Sequence, residues 1–129
     1  MKKIFKILFT FALILTLSSE AKAMTFEEAF NQTNKTPMVV LIYAQWADGV
    51  TDVLQKYETV KRDFSGVFNF TSLDIASKDA KFFNSKFHIY PNLPYMLMFR
   101  DNGKVSRYIP QSCVSDVSCV KSKLKSFIQ

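Results

Sequence analysis

Few residues in this 129-residue sequence could carry chemistry. There are two cysteines, Cys113 and Cys119. A thiol pair either exchanges disulfides, which needs a low-pKa thiolate and a resolving partner, or closes one permanent bridge. On one continuous helix their Cα atoms would stand about 9 Å apart, too far to bond. A helix that begins at Ser115 lets Cys113 fold back onto its first turns. The small loop so closed is worth about 2 kcal/mol. The spacing favours the structural staple, with a redox pair as the alternative. His88 is the one histidine. It has no Cys/His set around it and no Ser/His/Asp arrangement, so neither a metal nor a cofactor is expected. Asp48 and Asp52 lie four apart at a helix start, where carboxylates serve the helix dipole. Trp46, the single tryptophan, reads as packed against its own turn, with a ligand contact as the alternative.

The element that must position Trp46 and Asp48 is a strand, a turn and a helix. Met38-Val39-Val40-Leu41-Ile42-Tyr43-Ala44 is a continuous apolar run with β-branched residues, the pattern of a strand covered on both faces. The turn is Gln45-Trp46-Ala47-Asp48-Gly49. After it, Val50, Val53, Leu54, Tyr57, Val60 and Phe64 fall on one helical stripe.

Lys2, Lys3 and Lys6 precede an apolar stretch from Ile7 to Leu17, and Ala21-Lys22-Ala23 follows. That is the layout of a secretory signal peptide cleaved after Ala23. The stretch is shorter than the roughly 20 residues a membrane span needs, and no later one is long enough. Residues 1–23 are therefore expected to leave, and residues 24–129 to form one domain in the periplasm or outside the cell. Losing four lysines and one glutamate with the signal lowers the formal charge from +6 to +3. That is weak evidence for an anionic partner. No Lys/Arg cluster is interleaved with aromatics, so nucleic acid is not expected. In an oxidising compartment Cys113 and Cys119 read as a disulfide.

Along the rest of the chain, Thr25 with Glu28 forms a capping box before Phe26, Ala29 and Phe30. Val67 to Asp74 reads as a strand. Ser77 is the expected cap of a helix from Lys78 to Phe87, with Ala80, Phe83 and Phe87 facing inward. His88 to Leu93 is a loop, and Tyr95 to Arg100 a strand. Asp101-Asn102-Gly103-Lys104 is a hairpin turn with Asn-Gly at its centre. Val105 to Ile109 is the returning strand. A last helix capped by Ser115 carries Val117, Val120, Leu124, Phe127 and Ile128. The order is α-β-α-β-α-β-β-α.

Several motifs along this order resemble those of thioredoxins. Ala44-Gln45-Trp46 matches the Ala-x-Trp that closes their active-site strand. Leu93-Pro94-Tyr95 matches their Ile-Pro-Thr, Phe87-His88-Ile89 their Phe/Tyr-Gly-Ile, and Phe99 to Lys104 their hairpin. The resemblance implies an α/β, thioredoxin-like fold with a central mixed sheet flanked by helices and a cis Leu93–Pro94 bond. The first edge strand of that fold is expected to be missing, because cleavage after Ala23 leaves little to build it. That edge could pair or oligomerise.

The departures bear on function. Ala47-Asp48-Gly49-Val50 stand where thioredoxins carry Cys-Gly-Pro-Cys, and Leu41 stands where they carry a buried, proton-moving Asp. Asp48 is expected to cap the helix that follows. The resemblance implies a redox-inactive domain whose Trp46-containing turn and Pro94 loop line a groove for an extended polypeptide. Trp46, Asp48, Leu93, Pro94 and Tyr95 are the candidate contacts. The expected partner is an exported or envelope protein or peptide. The alternatives are a thiol-disulfide oxidoreductase or isomerase using Cys113 and Cys119, and an envelope-assembly subunit with contacts elsewhere.

Overall fold

The computed structural model describes residues 24–129. The signal-peptide reading falls on residues 1–23 and lies outside the described residues. In chain order the elements are α1 (Phe26–Phe30), β1 (Met38–Tyr43), α2 (Val50–Asp63), β2 (Asn69–Asp74), α3 (Asp79–Lys86), β3 (Tyr95–Arg100), β4 (Val105–Ile109), α4 (Gln111–Val114) and α5 (Val117–Ile128). The four strands form one mixed sheet in the order β2-β1-β3-β4. β1 runs parallel to β2 and antiparallel to β3, and β4 is antiparallel to β3. Among the described residues no strand precedes α1, so β2 is an edge.

The continuous apolar run of β1 has a direct cause, since both faces of the strand are covered. Val39 and Leu41 face one core, built with Val53, Tyr57, Val60 and Phe64 of the α2 stripe and with Val120, Leu124 and Phe127 of α5. Met38, Val40 and Ile42 face the other, built with α1 and α3. That second core is largely aromatic. Phe26, fully buried, has the rings of Phe30, Phe82, Phe83, Phe87 and Phe99 around it at centroid distances of 5.1–6.3 Å.

Local signals explain most of the element ends. The Thr25 hydroxyl accepts from Glu28 N–H at 3.1 Å, and the Glu28 carboxylate accepts from Thr25 N–H at 3.0 Å. These bonds hold the Glu28 carboxyl below its ordinary pKa. The Phe26 N–H goes instead to the Asp79 carboxylate of α3 at 2.9 Å, which ties the two helices together. On the other face Lys121 of α5 pairs with Asp63 of α2 and holds that carboxyl below its usual range. Tyr57 is buried. Its hydroxyl donates to the Thr71 carbonyl at 2.6 Å, with the Val39 carbonyl at 3.1 Å, bracing β1 against β2. Burial holds that phenol well above its ordinary pKa, so it remains a donor.

Some boundaries differ from the sequence expectation. β1 ends at Tyr43 rather than Ala44, and β2 begins at Asn69 rather than Val67, which is exposed. Ser77 does not cap α3. Its hydroxyl donates to the Asp74 carbonyl at 2.6 Å, closing the preceding turn. Ser115 does not cap the last helix either. A short helix, α4, occupies Gln111–Val114, and the Asp116 carboxylate then accepts from Cys119 N–H at 3.2 Å. Ile128 is exposed rather than on the buried face.

The hairpin forms as its residues require. The Lys104 N–H donates to the Asp101 carbonyl at 3.2 Å around Asn102 (φ +62°) and Gly103 (φ +78°). A Cβ on Gly103 would stand 2.6 Å from Phe30 Cζ. Gly103→Ala is therefore expected to cost about 1–3 kcal/mol through the positive φ and the displaced ring. Urea unfolding at pH 7 checks this, and an unchanged midpoint contradicts it.

Candidate functional site

The site forms where β1 ends. Ala47 N–H closes onto the Ala44 carbonyl at 3.1 Å, and the chain then turns through Gly49 at φ +79° to start α2 at Val50. Gly49, not Asp48, occupies the capping position, and no side chain caps this helix. Asp48 is left exposed, with its carboxylate near the positive end of the α2 dipole. Antiparallel pairing sets Tyr95 opposite Ile42, which brings Pro94 beside the end of β1. The Leu93–Pro94 peptide is cis.

A cavity of about 230 Å³ opens between these segments. Asp48, Gly49, Asp52 and Val53 line one side, and Pro94, Gln111 and Ser115 the other. Two features of its far wall come from α4. The Gln111 side-chain amide donates to the Leu93 carbonyl at 2.6 Å. Lys56 of α2 donates to the Ser115 carbonyl at 2.9 Å while pairing with Asp52 at 3.0 Å. The Leu93 N–H meanwhile donates to the Pro91 carbonyl at 3.1 Å. Both backbone groups of Leu93 are therefore engaged within the molecule.

Cys113 and Cys119 are joined, with Cα atoms 5.5 Å apart. Cys113 is buried at 4 % exposure and lies between Gln111 and Ser115 in sequence. The bridge thus fastens α4, which carries the cavity's far wall, to α5.

The structure sorts the candidate residues. Asp48 and Pro94 meet at the cavity, and the Leu93 carbonyl accepts from Gln111, one of the lining residues. Trp46 is 71 % exposed rather than packed against its turn. Tyr95 is not a surface contact. It is fully buried among the second core, its hydroxyl accepts from Tyr90 N–H at 3.2 Å, and burial raises its phenol pKa. Leu41 is fully buried in the first core. Ala47 and Val50 are half-buried and offer no sulfur. Gln111, Ser115 and Lys56 were not legible as site residues, because their contacts cross 18 and 59 positions of sequence. His88 is exposed. Among the described residues no group of His, Cys, Asp or Glu is placed to hold a metal ion. No helix among them is long and apolar enough to cross a membrane.

No family model matches this sequence, and no curated protein does. Solved structures do match. A chain in the complex of ferredoxin:thioredoxin reductase with thioredoxin f2 superposes with a TM-score of 0.65 at 16% identity, over 84% of this chain and 93% of that one. Thioredoxin O2 from Arabidopsis thaliana in its oxidized state gives 0.62 at 17% identity, over 81% and 87%. The Trx4 domain of ERdj5 gives 0.60 at 16% identity, over 78% and 90%. The chain therefore has the thioredoxin fold. Its two cysteines form the Cys113–Cys119 bridge, and the turn between β1 and α2 reads Ala47-Asp48-Gly49-Val50.

Proposed function

We propose that this domain is a redox-inactive recognition module that binds an extended polypeptide across the Trp46 turn and the Pro94 loop. The observation that carries this reading is a 71 % exposed Trp46 on a turn that also contributes Asp48 to the cavity beside Pro94. An exposed indole offers a large amphipathic contact surface, and aromatic side chains dominate binding hot spots. The lining offers carboxylate, amide and hydroxyl groups, which suit hydrogen bonding to a peptide backbone. Its location is read as the periplasm or the extracellular space, from the sequence of residues 1–23.

The cysteine pair favours the staple over the redox alternative. Attack on a disulfide needs an accessible sulfur; Cys113 is buried in the first core, and Cys119 is partly buried against it.

The experiment is selection of cysteine-free peptides on the purified protein, followed by anisotropy titration of the labelled winners. Trp46→Ala and Leu93→Asp are each expected to weaken binding at least about tenfold, the scale of a hot-spot loss. Equal binding by both variants rejects this surface. The module would then be an assembly subunit that makes its contacts elsewhere, such as along the β2 edge.

Gln111 gives a sharper expectation. A strand pairing beside Pro94 competes with the Gln111 amide for the Leu93 carbonyl. Gln111→Ala should therefore tighten peptide binding by about three- to tenfold, the worth of one hydrogen bond no longer displaced. The same anisotropy titration reads it, and weaker binding would mean that Gln111 contacts the peptide itself.

A further inference from the structure

At the other end of β3 from Pro94, the sheet carries a second feature. Met98 pairs with Arg107 and Arg100 with Val105, so Arg100 and Arg107 lie diagonally on one face of the β3–β4 ladder. Diagonal neighbours stand about 7–8 Å apart, and like charges so placed repel. The face is fixed by Met98, which belongs to the core shared with α5. From α5, Lys123 and Phe127 project one turn apart toward the same cleft, which encloses about 230 Å³.

Charge compensation here is incomplete. Of the Arg100 donors, Nη1 is paired with exposed Asp101, while Nε is buried and has no hydrogen-bond partner among the described residues. The Phe127 ring sits under that guanidinium at 5.2 Å. Arg107 Nη1 donates only to the carbonyl of its neighbour Ser106, at 3.0 Å. No carboxylate lines the cleft. An adjoining hollow along α5 shares Ser126 and adds Lys125, together with Lys121, which is already paired with Asp63.

We propose that this cleft is an anion site that takes a phosphoryl group, held by Arg100, Arg107 and Lys123 with the Ser126 hydroxyl beside them. Planar guanidinium forks match the oxygen spacing of a phosphate and can bond it in pairs. An anion between the two arginines also removes their mutual repulsion. A phosphoryl group could arrive free, on a soluble phosphate ester, or as the headgroup phosphate of a lipid.

The test has two arms. Inorganic phosphate is titrated into the isotope-labelled protein at fixed ionic strength, with chloride as the balancing salt. Saturable amide shifts are expected at Arg100, Arg107 and Ser126, with the Trp46 turn unmoved. Arg107→Gln, on an exposed side chain, should keep the unfolding midpoint and weaken binding about tenfold or more. Co-sedimentation with phosphatidylglycerol vesicles, against phosphatidylcholine vesicles, then distinguishes the sources. Retention on the former alone, lost in Arg107→Gln, assigns the lipid headgroup. Saturable phosphate binding without retention assigns a soluble phosphate. Non-saturating shifts, or binding and retention unchanged in Arg107→Gln, overturn the site.

Discussion

Replacing Phe26 with alanine is expected to lower the unfolding free energy by about 3–5 kcal/mol, the range for an aromatic removed from a core. The ring is fully buried, and five other phenylalanine rings surround it. They come from α1, α3, the segment after α3 and β3, so no single element can move in to fill the void. α1 is only five residues long and too short to be stable alone. Phe26 is what docks it, with the Asp79 carboxylate accepting from its N–H. A loss of this size lowers Tm by roughly 15–30 °C for a domain of this length. Thermal and urea unfolding read it, and a loss under about 1 kcal/mol would mean that α1 is not part of the cooperative core.

Leu41→Asp should be at least as damaging, at about 4 kcal/mol or more at pH 7, because a buried carboxylate has no partner there. Leu41 is fully buried between Val39 and Tyr43 on the α2 side of β1. Burial raises the folded-state pKa of the introduced acid above its unfolded value. Below the unfolded pKa the group is neutral in both states, so only the cavity and the unpaired carboxyl remain as penalty. The ionisation part is added as pH rises, until the folded state too is ionised. The gap between the urea midpoints of variant and wild type should narrow toward pH 4 and widen toward pH 8. Parallel curves would mean that water or an unrecognised cation reaches the site. Leu41, where the sequence resemblance implies an acid, lies wholly within the first core.

How much of this was readable beforehand follows from the range of each interaction. Signals within a few residues were legible. The Thr25–Glu28 box, the Asn102–Gly103 turn and the unbroken apolar run of β1 each act locally or through full burial. Caps proved less secure where two polar residues compete. Ser77 and Ser115 lost to a turn bond and to Asp116, and Gly49 stands where Asp48 was expected. Tyr95 was misplaced for a different reason. A strand buried on both faces gives no alternation to reveal which side chain reaches water. Trp46 exposure was hidden because it depends on what covers the ring, not on its neighbours. The Gln111 bond to Leu93 and the convergence of Arg100, Arg107 and Lys123 depend on strand register and helix docking. A modest net charge carried no hint of either.

The recognition surface itself is tested most directly by mapping a selected cysteine-free peptide onto the isotope-labelled protein by amide chemical shifts. Saturable shifts should concentrate at residues 46–52, 93 and 111–115, together with a blue shift of Trp46 emission. Shifts confined to β2 or α5, with Trp46 emission unchanged, would contradict a binding role for the Trp46 turn.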